Sequence, residues 1–107
     1  MTKLMSCLSI ALTLAAAVSS ANAQAVGDPK EGLAVAQQVC SECHATVAGQ
    51  DRSPNAQAPT FVNLAAIPGM TRTALLVALT TPHAGMPMFR LTNKQRDDII
   101  AYILSLH

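Results

Sequence analysis

Apolar and polar positions divide this 107-residue chain into an unbroken apolar start, three amphipathic stretches and two aperiodic segments. Leu4 to Val18 is rich in Leu and Ala, carries no charge and follows a single Lys3, with small residues at Ala21 and Ala23 beyond it. That is the pattern signal peptidase reads, so residues 1–23 are expected to be a secretory signal cleaved after Ala23. The apolar part is about fifteen residues, short of the roughly twenty that span a bilayer, which favours removal over retention as an anchor. Leu4-Met5-Ser6-Cys7 lacks the hydrophobic region that precedes a lipoprotein box.

The first amphipathic stretch predicts a helix from Pro29 to about Val39, with Leu33, Ala36, Val39 and Cys40 sharing a face. Asp28 suits its cap, Pro29 its first position, and Glu31 the reciprocal place of a capping box. Gly32 inside it costs up to about 1 kcal/mol against Ala, which predicts close approach by another helix. From Ala45 to about Asn63 the period disappears among Gly49, Pro54, Asn55 and Pro59, so a loop is expected. Thr71 or Met70 caps a short helix through Leu75, Leu76 and Leu79. Thr80 to Phe89, with two prolines and one glycine, is a second loop. Thr92 and Gln95 form a capping box for a last helix that lines up Ile99, Tyr102, Ile103 and Leu106 to the end. The pattern gives three or more helices and no sheet, repeat or linker.

Composition changes the picture once the signal is set aside. The 50% hydrophobic content is inflated by it, and residues 24–107 form one small domain. Losing Lys3 from the seven bases leaves six, against six acids, so the mature chain is formally neutral. A neutral chain argues against nucleic acid as a partner, which calls for a basic face, but leaves docking through local patches open. Its aromatic residues are Phe61, Phe89 and Tyr102. So small a domain buries little apolar surface and needs a staple.

The staple is written in Cys40-Ser41-Glu42-Cys43-His44. Two thiols three positions apart and an imidazole next to the second form the attachment signature of a c-type haem. The order matters, because both sulfurs must reach porphyrin vinyl groups while the ring sits under the iron. The other ring nitrogen needs an acceptor that fixes its tautomer. A redox dithiol would need a βαβ pattern nearby, and none is visible. Zinc would need four ligands, whereas the only further imidazoles are His83 and His107 and the only further thiol is Cys7.

These features together resemble the class I cytochromes c, in that family's order, over nearly all of residues 28–107. The resemblance rests on the early haem motif, the preceding Gly32, the Met86-Pro87 loop and Ala101-Tyr102 in the last helix. Ser53-Pro54-Asn55, Ala58-Pro59-Thr60-Phe61 and Met86-Pro87-Met88-Phe89 are similar to small bacterial monohaem members; the cytochromes c-prime, with the motif near the end of a four-helix bundle, fit poorly. The resemblance implies an all-α cytochrome c fold, three to four helices around one covalently bound haem, the first and last crossing near Gly32 and Ile99/Tyr102. Cys40 and Cys43 would carry the thioethers and His44 would be the proximal ligand. Pro59, with Pro54 as the alternative, would present its carbonyl to that histidine, and Phe61 would pack on the haem. Many members carry an aromatic four residues after the glycine; Ala36 stands there, which implies looser helix packing and heavier dependence on the haem.

Met70, His83, Met86 and Met88 are candidates for the sixth ligand, each with gap-filling, turn or rim roles as the plain reading. The family's distal methionine commonly precedes a proline, as Met86 does. His/Met ligation raises the haem potential relative to two nitrogen ligands. The implied role is an electron carrier, not an enzyme, exported to the bacterial periplasm as a monomer. It would shuttle electrons from a dehydrogenase to an oxidase or reductase. The alternative is a haem enzyme or gas-binding protein with an open sixth position, for which His83 with Arg90 is the nearest acid–base pair. Arg52, Arg72, Arg90 and Lys94 are candidates for haem-propionate or partner contacts against ordinary solvation, and Asp97 and Asp98 read as a solvated face.

Overall fold

The computed structural model describes residues 26–107, so the expected signal segment, its expected cleavage position and Cys7 lie outside the described residues. Four helices follow in order: α1 (Pro29–Val39), α2 (Phe61–Ala66), α3 (Arg72–Thr80) and α4 (Asn93–Leu104). The class is all-α as expected: among the described residues the β content is one isolated antiparallel bridge, His83 to Met86. No helix among them is long and apolar enough to cross a membrane.

Threonine starts three of the four helices. The hydroxyls of Thr60, Thr71 and Thr92 accept from Asn63 N, Ala74 N and Gln95 N at 3.0, 3.1 and 3.1 Å. Gln95 Oε1 returns the favour to Thr92 N at 2.9 Å, completing the capping box expected there. Thr60 is where the sequence reading needs correction: the loop ends there, and Asn63 already lies inside α2. Six residues are too few to display a helical period, and Pro68-Gly69 stops the helix almost as soon as it begins. At the other end, α4 stops at Leu104 with Ser105 as its C-cap, so Leu106 packs on the core from outside the helix.

The largest helix interface joins α1 to α4, with α3 and α2 packed on α4 beside it. A Cβ at Gly32 would fall 1.9 Å from the Asp98 carbonyl oxygen and 2.7 Å from Tyr102 Cβ, so the glycine is what lets the two helices touch. The close approach predicted for Gly32 is found. Ala36, where many relatives in that family carry an aromatic, is fully buried. Ile99 and Ile100 are also fully buried, each contributing ~2 kcal/mol relative to exposure.

Asp98 overturns its expected role on a solvated face, since it is only 3% exposed. Its Oδ1 accepts from the Asp28 backbone N–H at 2.8 Å and its Oδ2 from Lys94 Nζ at 2.6 Å. The Lys94 hydrogen bond first, and the Asp28 N–H second, hold its carboxyl below the ordinary value of 3.8. The α1 cap is correspondingly different from the one expected. Asp28 accepts from Lys30 N at 2.9 Å, but Asp98 of α4 takes the Asp28 N–H that a Glu31 carboxylate would have claimed. Asp97 is half-buried and pairs with Arg72, joining α4 to α3.

Candidate functional site

The site begins where α1 ends. Cys40 N donates to Ala36 O at 2.8 Å and Ser41 N to the same carbonyl at 3.1 Å. Cys43 N and His44 N then both donate to Cys40 O, at 3.2 and 2.9 Å. The pentapeptide is therefore one tight turn continuing the helix, which brings both thiols and the imidazole to one cavity of about 420 Å³. Cys40 is buried and Cys43 half-buried, and both are free thiols. Burial first, and the neighbouring Cys43 second, push the Cys40 thiol up to about 11. Among the described residues the fold around this pair is helical, without the βαβ pattern that a redox dithiol would need.

His44 is aimed by the loop that follows it. Its Nδ1–H donates to the Pro59 carbonyl at 2.6 Å, which leaves Nε2 as the lone-pair nitrogen. A carbonyl only accepts, so this bond fixes the tautomer. Pro54, the alternative, instead borders a second hollow with Arg52 on the other side of the loop. The loop is pinned back against the helix by Asn55 N to Cys43 O at 3.1 Å, Phe61 N to Ala45 O at 2.9 Å and Ala45 N to Ser53 Oγ at 3.0 Å. The Tyr102 hydroxyl, from α4, donates to the Thr46 carbonyl. Phe61 is 3% exposed, with its ring centroid 5.4 Å from His44 and 6.3 Å from Tyr102.

The second loop closes the cavity with residues 83–87 and Phe89. Of the four candidates for a sixth ligand, Met70, His83 and Met86 line it and Met88 does not. Met88 is 51% exposed. Met70 keeps its turn role as well, donating N–H to Ile67 O at 3.0 Å. Arg72 and Lys94 pair with Asp97 and Asp98, and Arg52 and Arg90 are exposed. One guanidinium nitrogen of Arg72, Nη1, is buried without a partner among the described residues, and Arg72 does not line the cavity.

Sequence reasoning misses Ser53 and the Tyr102 hydroxyl as supports of the His44 loop. Both bonds join residues that are distant or aperiodic in the chain, and no local pattern marks them. The donor set fits a covalently held haem: two thiols on one turn, an imidazole with its far nitrogen occupied, and a thioether on the same apolar cavity.

Comparison with known proteins agrees. The family model described as "Cytochrome C oxidase, cbb3-type, subunit III" matches residues 27–103. A curated protein named "Cytochrome c-552", from Bradyrhizobium diazoefficiens, is 38% identical over 97 residues, covering 91% of each chain. No solved structure matches the chain.

Proposed function

The chain belongs to the small c-type cytochromes, and on that premise we propose that it carries single electrons on a His/Met-ligated haem c between larger redox proteins of a bacterial periplasm. Haem c, one per chain, supplies a reversible one-electron iron couple. The protein supplies the ligands, the wall and the exclusion of water.

In this reading Cys40 and Cys43 would form the thioethers to haem c and His44 Nε2 would bind its iron. Pro59 holds the Nδ1 proton, which keeps the ring in one tautomer and strengthens the nitrogen as a donor. Phe61, packed beside the ring, limits its rotation and keeps water from that side. Met86, half-buried at the cavity wall, offers the distal sulfur. Gly85 at φ +79 and Pro87 shape the turn around it. A sulfur there raises the potential relative to a second nitrogen, and a filled site denies the iron to oxygen and peroxide. The observation that carries the reading is the 2.6 Å bond between His44 Nδ1 and the Pro59 carbonyl, made by the imidazole that directly follows two thiols. Export through residues 1–23, with cleavage after Ala23, delivers the chain to its partners: a dehydrogenase as donor, an oxidase or reductase as acceptor.

The test is spectroscopic. The secreted protein, made with working haem-attachment machinery, is expected to gain the mass of one haem. Its oxidised form should show the weak sulfur-to-iron charge-transfer band at the red end of the visible spectrum. Met86→Ala is expected to abolish that band; survival of the band there removes Met86 from the reading. Rapid carbon monoxide binding by the reduced wild-type protein would instead support the open-site alternative.

A further inference from the structure

The stretch that brings Met86 to the cavity brings an imidazole with it. His83 and Met86 both line the cavity. Their backbones face each other across the turn Ala84–Gly85, with Met86 N donating to His83 O at 3.3 Å. The His83 ring is tied at one nitrogen: Nδ1–H donates to the Thr81 carbonyl at 3.1 Å. Its Nε2 keeps a lone pair and has no partner among the described residues. His44 has the same arrangement, with Nδ1–H on the Pro59 carbonyl. One cavity is thus bordered by two imidazoles, each with Nδ1 on a backbone carbonyl and Nε2 free. That is the tautomer a metal-bound histidine uses.

We propose that His83 is a reserve axial ligand, whose Nε2 takes the distal iron position whenever the Met86 thioether is withdrawn. The inference rests on Met86 being the resident ligand. The exchange replaces one neutral donor by another, so no proton or electron is gained or lost. The turn that separates the two candidates contains Gly85 at φ +79, and His83 is exposed, so no packed neighbour has to be displaced for the imidazole to move toward the cavity. Met88, the neighbouring thioether, lies outside the cavity wall and does not compete. Nitrogen in place of sulfur lowers the potential, so the same chain has a second, more reducing state built into one loop.

Met86→Ala holoprotein tests this by absorption and electron paramagnetic resonance spectroscopy and by redox titration. The expected result is loss of the sulfur band, a six-coordinate low-spin iron and a lower potential. Adding His83→Ala is expected to convert the iron to high spin. A high-spin Met86→Ala protein overturns the inference, as does a double variant that stays low-spin, because another side chain then serves. Persistence of the sulfur band in Met86→Ala overturns it together with the Met86 assignment, which distinguishes that failure from the others. Should Met86→Ala fail to accumulate, Met86→Leu keeps most of the apolar volume and the same outcomes decide.

Discussion

The α1–α4 seam and the 81–91 loop sit at opposite extremes of how this chain holds itself together. The seam is protein against protein: Gly32 lies on the Asp98 carbonyl, Ala36 and Ile99 are fully buried, and a carboxylate of α4 receives the N–H of Asp28, the residue that caps α1. The loop is bonded chiefly to itself, through Met86 N to His83 O, His83 Nδ1 to Thr81 O and Leu91 N to Phe89 O. Most of its residues are exposed. The contrast separates two tasks. His44 follows directly from the rigid seam, whereas the candidate distal ligands ride on a segment that takes its shape from turns and from what fills the cavity.

Substitutions at the two regions should therefore differ in kind, and the largest effect is expected at the seam. Gly32→Ala puts a methyl group inside the Asp98 carbonyl and should destabilise the protein by about 3 kcal/mol, outweighing the ~1 kcal/mol gained in helix propensity. Urea unfolding of the holoprotein measures it, and a neutral result would mean the helices do not meet as closely as described. Asp98→Ala is next, about 2 kcal/mol at neutral pH, because the Asp28 N–H loses its acceptor. Its pH dependence has a definite sign. The folded carboxyl titrates below 3.8, so its contribution is complete above that value and is lost as pH falls through the folded value. The gap between wild type and variant should then close in acid, and a gap unchanged at low pH would refute the role of the charge.

Tyr102→Phe removes the hydroxyl from the Thr46 carbonyl and should cost about 1 kcal/mol, with a larger effect on the proximal side of the haem than on the distal side. Equal perturbation of both sides would blur the comparison. Met88→Ala, at an exposed loop position, is expected to change stability by less than about 0.5 kcal/mol and to keep the sulfur band. Loss of the band there would move the distal ligand by two residues.

The sequence and the fold agree best where one residue type has one physical use. Asp28, Thr92, Gly32 and the Cys40–His44 pentapeptide each state their role locally, through a cap, a missing Cβ or a spacing of donors. Helix α2 is illegible in the sequence because its six residues carry no period, and its Thr60 cap shows only in the structure. Asp98 departs from its sequence reading for another reason. Adjacent carboxylates on a helix look equally wet in sequence, and only the seating of α1 decides that one of them is enclosed. The Tyr102 hydroxyl and Ser53 give no local sign of the bonds they make, and a hydrogen bond across 56 positions, from Tyr102 to Thr46, follows from the fold and does not announce it.

Because the wall that carries His44 and the wall that carries Met86 come from separate stretches of chain, the molecule lends itself to modular redesign. Residues 81–91 form a cassette between α3 and α4. Grafting a different cassette there, with the glycine-seated helix pair left intact, offers a route to a graded set of electron carriers on one scaffold.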